Sequence, residues 1–437
     1  YQAWNGVDRK TWESNPKFNA SGAIYDANWE NIVGFYDNET DNYRQNHYQL
    51  LWEQGLNEHW SLETTLHYTK GRGFYENYKQ SDPFARYNLP NINGGKYSDF
   101  IRKKWLNNDF YGIVSTLYGK FNNLDLNFGV VGNQYYGRHY GNVTDVFNPQ
   151  IQQHEYYRNR SLKSEVAGFA KALVTVNNFE FFGDLQIRNI DYETKILQEG
   201  DFEGANLNKN WLFFNPKAGI NYKIGGGKVF VSYAHAQREP NRDDLISDNN
   251  VKSEKLHDLE AGLEKQFGKV AFTANLYYMY YLNQLVLNGQ ISSIGEFIRT
   301  NSGKSYRRGV EIGALAKVTK QFEISANISA SQNQNLEFKI KNAVGIQNLG
   351  DTKISFSPNF IANLTLKYSP VKNFQLGLTN QYVGKQYLDN TQTQDLQLQD
   401  YLLTDFNAQY DFKIKKHEIA LKLLVNNILD QKYVNNG

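Results

Sequence analysis

Residues able to do chemistry are few and scattered. The eight histidines are His47, His59, His67, His139, His154, His235, His257 and His417. None sits in an HExxH run or in the carboxylate–His spacing of a zinc site. There is no cysteine, so thiolate ligation, thiol chemistry and disulfides are excluded. His257 and Asp258 are adjacent, but neighbours on a strand face opposite ways and cannot form an acid–base pair. Asp243, Asp244 and Asp248 look like calcium ligands, yet polar loops often hold such runs. Gly225-Gly226-Gly227 reads as a tight turn, since no helix follows to make a phosphate loop. No catalytic set can be assembled, so neither an enzyme nor a bound cofactor or metal is expected. The informative residues are aromatic rings and arginines in long polar stretches: Phe74, Tyr75, Arg86, Tyr87, Trp105, Tyr135, Tyr136, Arg138, His139, Arg238 and Arg242. Such rings stack on a flat ligand, and guanidinium groups pair with its carboxylates. We take these residues as the ligand-binding candidates. The competing reading is that the rings pack on one another.

The elements that carry them repeat with period two. From Trp60 to Thr69, Trp60, Leu62, Thr64, Leu66 and Tyr68 share one side, while Ser61, Glu63, Thr65, His67 and Thr69 share the other. The same alternation runs through Leu124–Val130, Val270–Tyr278, Phe322–Ala330, Phe374–Leu378, Leu402–Phe412 and Ile419–Val425. About sixteen such segments, each about 10–14 residues long, match strands that cross a bilayer at a tilt. Short turns alternate with long polar stretches at about 4–42, 72–108, 141–157, 193–211, 238–254, 283–302, 332–357 and 388–400. Aromatic residues stand beside the short turns: Trp60, Phe121, Phe179, Tyr222, Phe322, Tyr368, Phe374 and Phe412. That is the girdle of a membrane–water interface.

Composition agrees. Lys+Arg 47 against Asp+Glu 45 gives a net charge of +2, which argues against a nucleic-acid partner held by phosphate attraction. Mean hydropathy is −0.64, and no apolar run approaches the length of a membrane helix. Aromatics at 15% with one Met and eight Pro suit a large β-protein. The fold expected is all-β: a transmembrane antiparallel up-and-down barrel with short periplasmic turns, long extracellular loops, a polar lumen and greasy residues such as Leu126 facing lipid. Outer-membrane lipid and lipopolysaccharide are therefore expected partners. The start, Tyr1 to Trp4, reads as the tail of a strand, and Ile428 to Gly437 reads as loop. Since open edges are unsatisfied in lipid, residues 1–437 are expected to be an interior fragment, one partial barrel domain without a last strand to pair with the first.

Several segments resemble the C-terminal barrel of TonB-dependent outer-membrane receptors. Leu423-Leu424-Val425-Asn426-Asn427-Ile428-Leu429-Asp430-Gln431-Lys432-Tyr433 is similar to the "V-x-N-L-F-D-x-x-Y" signature. Asn215-Pro216-Lys217-Ala218-Gly219-Ile220-Asn221-Tyr222 is similar to "NPKxGxxY". Val231 to Pro240 resembles "SYSxGFRxP" without its Gly-Phe, and Ser253–Glu264 resembles "PExxxxxELGLE" without its Pro. Asn301 to Glu311 resembles "NxGKxxxxGVE". The five lie in the family's order over about 212–433. Phe35–Tyr43 and His67–Gly73 resemble segments of Bacteroidetes-type members. The resemblance implies a 22-stranded barrel, of which this chain would supply about strand 5 to strand 21, without the family's N-terminal plug domain or its last strand. It also implies TonB-driven uptake of a scarce small-molecule ligand across the outer membrane of a Gram-negative bacterium. An iron–siderophore complex comes first, with haem or cobalamin next. Under a haem reading, His139 or Tyr136 would be the axial ligand. A surface lipoprotein capping the barrel is a further expected partner. The alternative is a passive porin-like channel of 16–18 strands.

Overall fold

The computed structural model describes residues 7–147, 150–199, 202–291, 297–342 and 345–434; Tyr1 to Trp4 and the last residues of the expected terminal loop lie outside these. Sixteen long antiparallel strands make one sheet curled into a barrel. In chain order they are β1 (Asp41–Gly55), β2 (Trp60–Pro83), β3 (Tyr97–Lys120), β4 (Leu124–Val146), β5 (His154–Val176), β6 (Phe179–Glu199), β7 (Phe202–Ile224) and β8 (Gly227–Arg238). Then come β9 (Glu254–Phe267), β10 (Val270–Leu282), β11 (Lys304–Lys317), β12 (Phe322–Leu336), β13 (Phe360–Val371), β14 (Phe374–Val383), β15 (Tyr401–Ile414) and β16 (His417–Val425). Each ladder joins sequence neighbours, the up-and-down order expected of a hairpin series. The seam falls between β1 and β16. Among the described residues, the residue-by-residue ladders of these two strands run only to β2 and β15.

The short turns expected from the sequence, at 56–59, 121–123, 177–178, 225–226, 268–269, 318–321, 372–373 and 415–416, all fall at one end. Several need a left-handed residue, supplied by Asn177 (φ 52), Asn373 (φ 71) and Lys415 (φ 55). At the two-residue turn Gly225-Gly226, Gly226 has φ 75, which a side chain would strain. The other end carries the long connections. They include a helix Arg242–Ser247 and a hairpin of Leu285–Ile291 with Phe297–Asn301.

The two faces separate as the period-two pattern requires. Val229, Val231 and Tyr233 are exposed outward, as are Leu50, Leu66, Val130, Val166, Leu185, Leu212 and Leu276. Leu126 lies in an apolar outer groove with Phe128, Ala170, Ala172 and Leu185. The inner wall opposite is polar, lined by Glu264, Thr273, Asn275, Glu311, Asn327 and Asn363. Inward phenylalanines lie over inward glycines of an adjacent strand: Phe169 over Gly129, Phe182 over Gly219 and Phe230 over Gly262. Bare backbone there gives each ring a surface to cover. The turn-end girdle is present as ring pairs, with Trp60 and Phe121 5.7 Å apart and Phe179 and Tyr222 4.7 Å apart.

Strand length differs from expectation. β2 to β7 run 21–24 residues rather than about 10–14. At about 3.3 Å per residue, a 24-residue strand reaches about 80 Å, far beyond a bilayer's hydrocarbon layer. The upper halves have water on both sides, so their sequences lose the greasy alternation and read as loop. The polar stretch 72–108 is mostly paired strand, and only residues 84–96 connect β2 to β3.

Candidate functional site

The upper walls of β2 to β6 divide the binding candidates by parity. On β2 the outward residues Leu66 and Tyr68 set the register, and Phe74 has the same parity. Its partner Trp105 on β3 pairs onward with Tyr140 on β4. Phe74, Trp105, Tyr136 and Arg138 therefore face outward, away from the lumen. The rings there form a ladder: Phe74 to Trp105 is 4.6 Å, and Trp105 stacks on Tyr140 at 5.8 Å and 7°. Arg138 bonds Asp109 (2.9 Å), which also holds Lys70 (2.9 Å).

Tyr75, Tyr135 and His139 have the opposite parity and face the lumen. Arg242, on the helix Arg242–Ser247, lies near Tyr135 and Tyr192 on the inner wall. That helix carries a capping box between Asn241 and Asp244. Asp244 also accepts from the Arg299 amide (2.7 Å), and Asp243 pairs with Arg242 (3.0 Å). The acidic run thus serves the helix and its neighbours. No metal-holding group of three His, Asp or Glu occurs among the described residues. Arg238 pairs with Glu254 at the rim (3.3 Å). Arg86 bonds Asp82 (2.5 Å), as does the hydroxyl of Tyr87 (2.5 Å).

Tyr87 is fully buried, and with Phe84, Phe100, Val143, Ile151, Tyr156 and Tyr157 it makes a small dry core at the mouth. Connections 84–96 and 150–153 contribute to it from either side. Asn88 Nδ2 donates to the Tyr156 carbonyl (2.5 Å), and His154 Nε2 donates to that of Tyr87 (2.9 Å). Burial pushes the Tyr87 hydroxyl well above its usual range. Tyr87 therefore props the mouth rather than presenting a ring to solvent.

Beside this core lies a basic inner surface absent from the candidate set. Residues Arg102-Lys103-Lys104 alternate, sending Arg102 and Lys104 inward and Lys103 outward to Glu76 (3.1 Å). Asn77 stands opposite Arg102, and Tyr75 opposite Lys104. Lys79, two residues beyond Asn77, completes the patch. Neither Lys79 nor Arg102 has a carboxylate at ion-pair distance among the described residues. Arg102 Nε is buried without an acceptor, which is costly for a charged donor. The basic run was visible in the sequence; alternation, applied above the membrane, would have sent two of its three charges inward.

Below it, Arg188 holds Glu165 through two bonds (3.0 and 3.2 Å), and Lys163 holds Glu239 (2.6 Å). Burial alone would raise Glu239. The Lys163 hydrogen bond and the charges of Lys163 and Arg188 prevail and hold its carboxyl below the usual range.

Family motifs have visible work here. In the Asn215–Tyr222 run, the Asn215 amide donates to Gln186 (3.0 Å), Gly219 admits the ring of Phe182, and Tyr222 joins the girdle. Asn301 ties two connections together, donating to the carbonyls of Lys252 (3.0 Å) and Asn283 (2.8 Å).

A barrel with an apolar outer band, a polar lumen and a partly roofed mouth is that of an outer-membrane protein. The chain belongs to the TonB-dependent receptors: the family described as TonB dependent receptor-like, beta-barrel, matches residues 1–428. An uncharacterized TonB-dependent receptor of Haemophilus influenzae is 26% identical over 220 residues, covering 47% of this chain and 59% of that protein. The ferrioxamine receptor of Yersinia enterocolitica is 27% identical over 136 residues, 30% of this chain and 18% of that one. The chain thus spans well under two thirds of these relatives. Among solved structures, the ferric-catecholate import receptor Fiu of E. coli K12 superposes with TM-score 0.67 at 16% identity, covering 95% of this chain and 65% of that one. The siderophore receptor PiuA of Acinetobacter baumannii gives 0.69 at 16%, covering 95% and 66%. The ferric citrate transporter FecA gives 0.69 at 15%, covering 94% and 61%. At such identities these structures share the fold alone.

Proposed function

We propose that the whole protein imports an anionic iron–siderophore complex across the outer membrane. Import would be driven by TonB through a plug domain separate from residues 1–437, within a 22-stranded barrel. One observation carries the choice of ligand charge: Arg102 and Lys79 have inward parity at the mouth, Arg102 near Tyr75, and neither has a carboxylate at ion-pair distance among the described residues. Unpaired cations beside an aromatic ring suit a polyanionic chelate with aromatic or carboxylate donors. The similarity to ferric-catecholate, ferric citrate and ferrioxamine receptors supports an iron chelate over haem or cobalamin. A passive channel is disfavoured by the family assignment. A capping surface lipoprotein remains part of this reading.

The test is growth of a deletion strain on defined iron–siderophore, haem and cobalamin sources, complemented by wild type or Arg102→Gln. Failure on a ferric siderophore alone is expected. The variant should restore growth only at roughly ten-fold higher chelate, the loss of about one charge-assisted contact. Undiminished growth of the deletion strain on every source would refute the reading.

A further inference from the structure

Two imidazoles far apart in the sequence meet on the outer wall. The ladder between β8 and β9 sets His235 directly opposite His257. Both share the outward parity of Val229, Val231 and Tyr233. Their ring centroids are 4.6 Å apart and the planes make an angle of 34°. One ring nitrogen of each is already engaged. His235 Nδ1 donates to the Leu256 carbonyl (3.0 Å), and His257 Nδ1 bonds the Tyr233 hydroxyl (2.7 Å). A carbonyl only accepts, so the His235 proton sits on Nδ1 and Nε2 carries a free lone pair. Neither Nε2 has a hydrogen-bond partner among the described residues.

An imidazole that binds a metal through one nitrogen characteristically gives its other N–H to a carbonyl or similar acceptor, which fixes the tautomer and orients the ring. The spacing fits as well. With metal–nitrogen bonds of about 2.0–2.1 Å, an ion lies roughly 3.2 Å from each ring centre, and a right angle between the two bonds puts the centres roughly 4.5 Å apart. The observed separation is 4.6 Å. No third His, Asp or Glu joins the pair among the described residues. Asp258 and Glu260 have the opposite parity and face the lumen. Ca²⁺ and Mg²⁺ take oxygen ligands, carboxylates above all, and find none here. Two imidazoles at a right angle, with water in the remaining positions, suit the tetragonal plane of Cu²⁺, which also heads the affinity order for such donors.

We propose that His235 and His257 bind one Cu²⁺ ion through their Nε2 atoms. His235 lies eight residues from Gly227, where β8 leaves its short turn. That is about 26 Å along the strand, or about 20 Å of depth at a tilt of about 40°, near the outer edge of an apolar band about 25 Å tall. Tyr233 and Tyr280, which stands opposite His257, flank the pair there, as rings do at a membrane–water interface. The ion fastens β8 to β9 just below Arg238, where connection 239–253 leaves for the mouth with Glu239 and Arg242. The site lies outside the lumen, so the inference is independent of the solute imported.

The test is a Cu²⁺ titration of the intact, tag-free receptor in detergent, followed by calorimetry and electron paramagnetic resonance. The wild type should bind one Cu²⁺ with hyperfine coupling to two imidazole nitrogens, and should bind Ni²⁺ and Zn²⁺ more weakly. Tyr233→Phe, which removes the partner of His257 Nδ1, should weaken Cu²⁺ binding by about ten-fold, and His235→Gln or His257→Gln by more. A wild-type signal showing one nitrogen or none would overturn the proposal and needs no variant to fold. So would a variant lacking either histidine that binds Cu²⁺ as tightly as the wild type, by placing the ion elsewhere.

Discussion

Replacing Val130 by Arg puts a charge into the apolar band, and the structure fixes how deep. Val130 points outward and is 57% exposed, between Ser115 of β3 and Gly168 of β5. It lies six residues from Leu124, where β4 leaves its short turn. That is about 20 Å along the strand, or about 15 Å of depth at a tilt of about 40°. The apolar band of such barrels is about 25 Å tall, so Val130 lies near its middle. An arginine there should destabilise the folded barrel by about 2–4 kcal/mol. Leu126 provides an internal control. From sequence it reads as mid-strand, but β4 extends to Val146 and places Leu126 two residues in, about 5 Å deep. Leu126→Arg should cost about 1 kcal/mol or less. Val131→Arg reverses the face and enters the wet lumen, where the cost should be near zero. The measurement is a reversible urea titration of the intact chain folded into phospholipid vesicles. Equal losses for Val130→Arg and Val131→Arg would show that the two faces have been assigned wrongly.

Asn390 is buried and ties three connections, accepting from Asn335 Nδ2 (3.2 Å) and the Ser355 amide (3.0 Å) and donating to the Leu287 carbonyl (2.8 Å). Asn390→Leu should cost about 1–3 kcal/mol locally, seen as faster proteolysis of these connections while the barrel's melting temperature holds. If cleavage rates do not change, the tie is not a stabilising one. For Glu239 the folded carboxyl titrates below its unfolded value. Its contribution is therefore complete above the unfolded pKa of about 4.3 and disappears as pH falls through the lower folded value. Thermal unfolding of Glu239→Gln should fall below wild type at neutral pH and converge with it in acid; a gap that persists or widens in acid would contradict the sign.

Legibility followed the solvent. Within the membrane, a strand has oil on one side and water on the other, so Leu124, Leu126, Phe128 and Val130 alternate visibly with polar or small partners. The sixteen strands, eight short turns and turn-end girdle were readable for that reason. Above the membrane both faces meet water, and nothing in the residue types of 72–83 marks them as strand. Phe74 and Tyr75 are therefore alike in sequence yet face opposite sides of the wall. The same blindness hid Arg102 and Lys104 inside the run that sends Lys103 out.

By itself, the amino-acid order determined the class of fold, its insertion in lipid and the family. Those follow from local alternation and from short motifs, which need no partner strand. Only the tertiary structure decided which side of the wall each aromatic ring and arginine occupies. Facing depends on pairing register carried upward from the membrane, and His235 meets His257 only when β8 and β9 lie side by side.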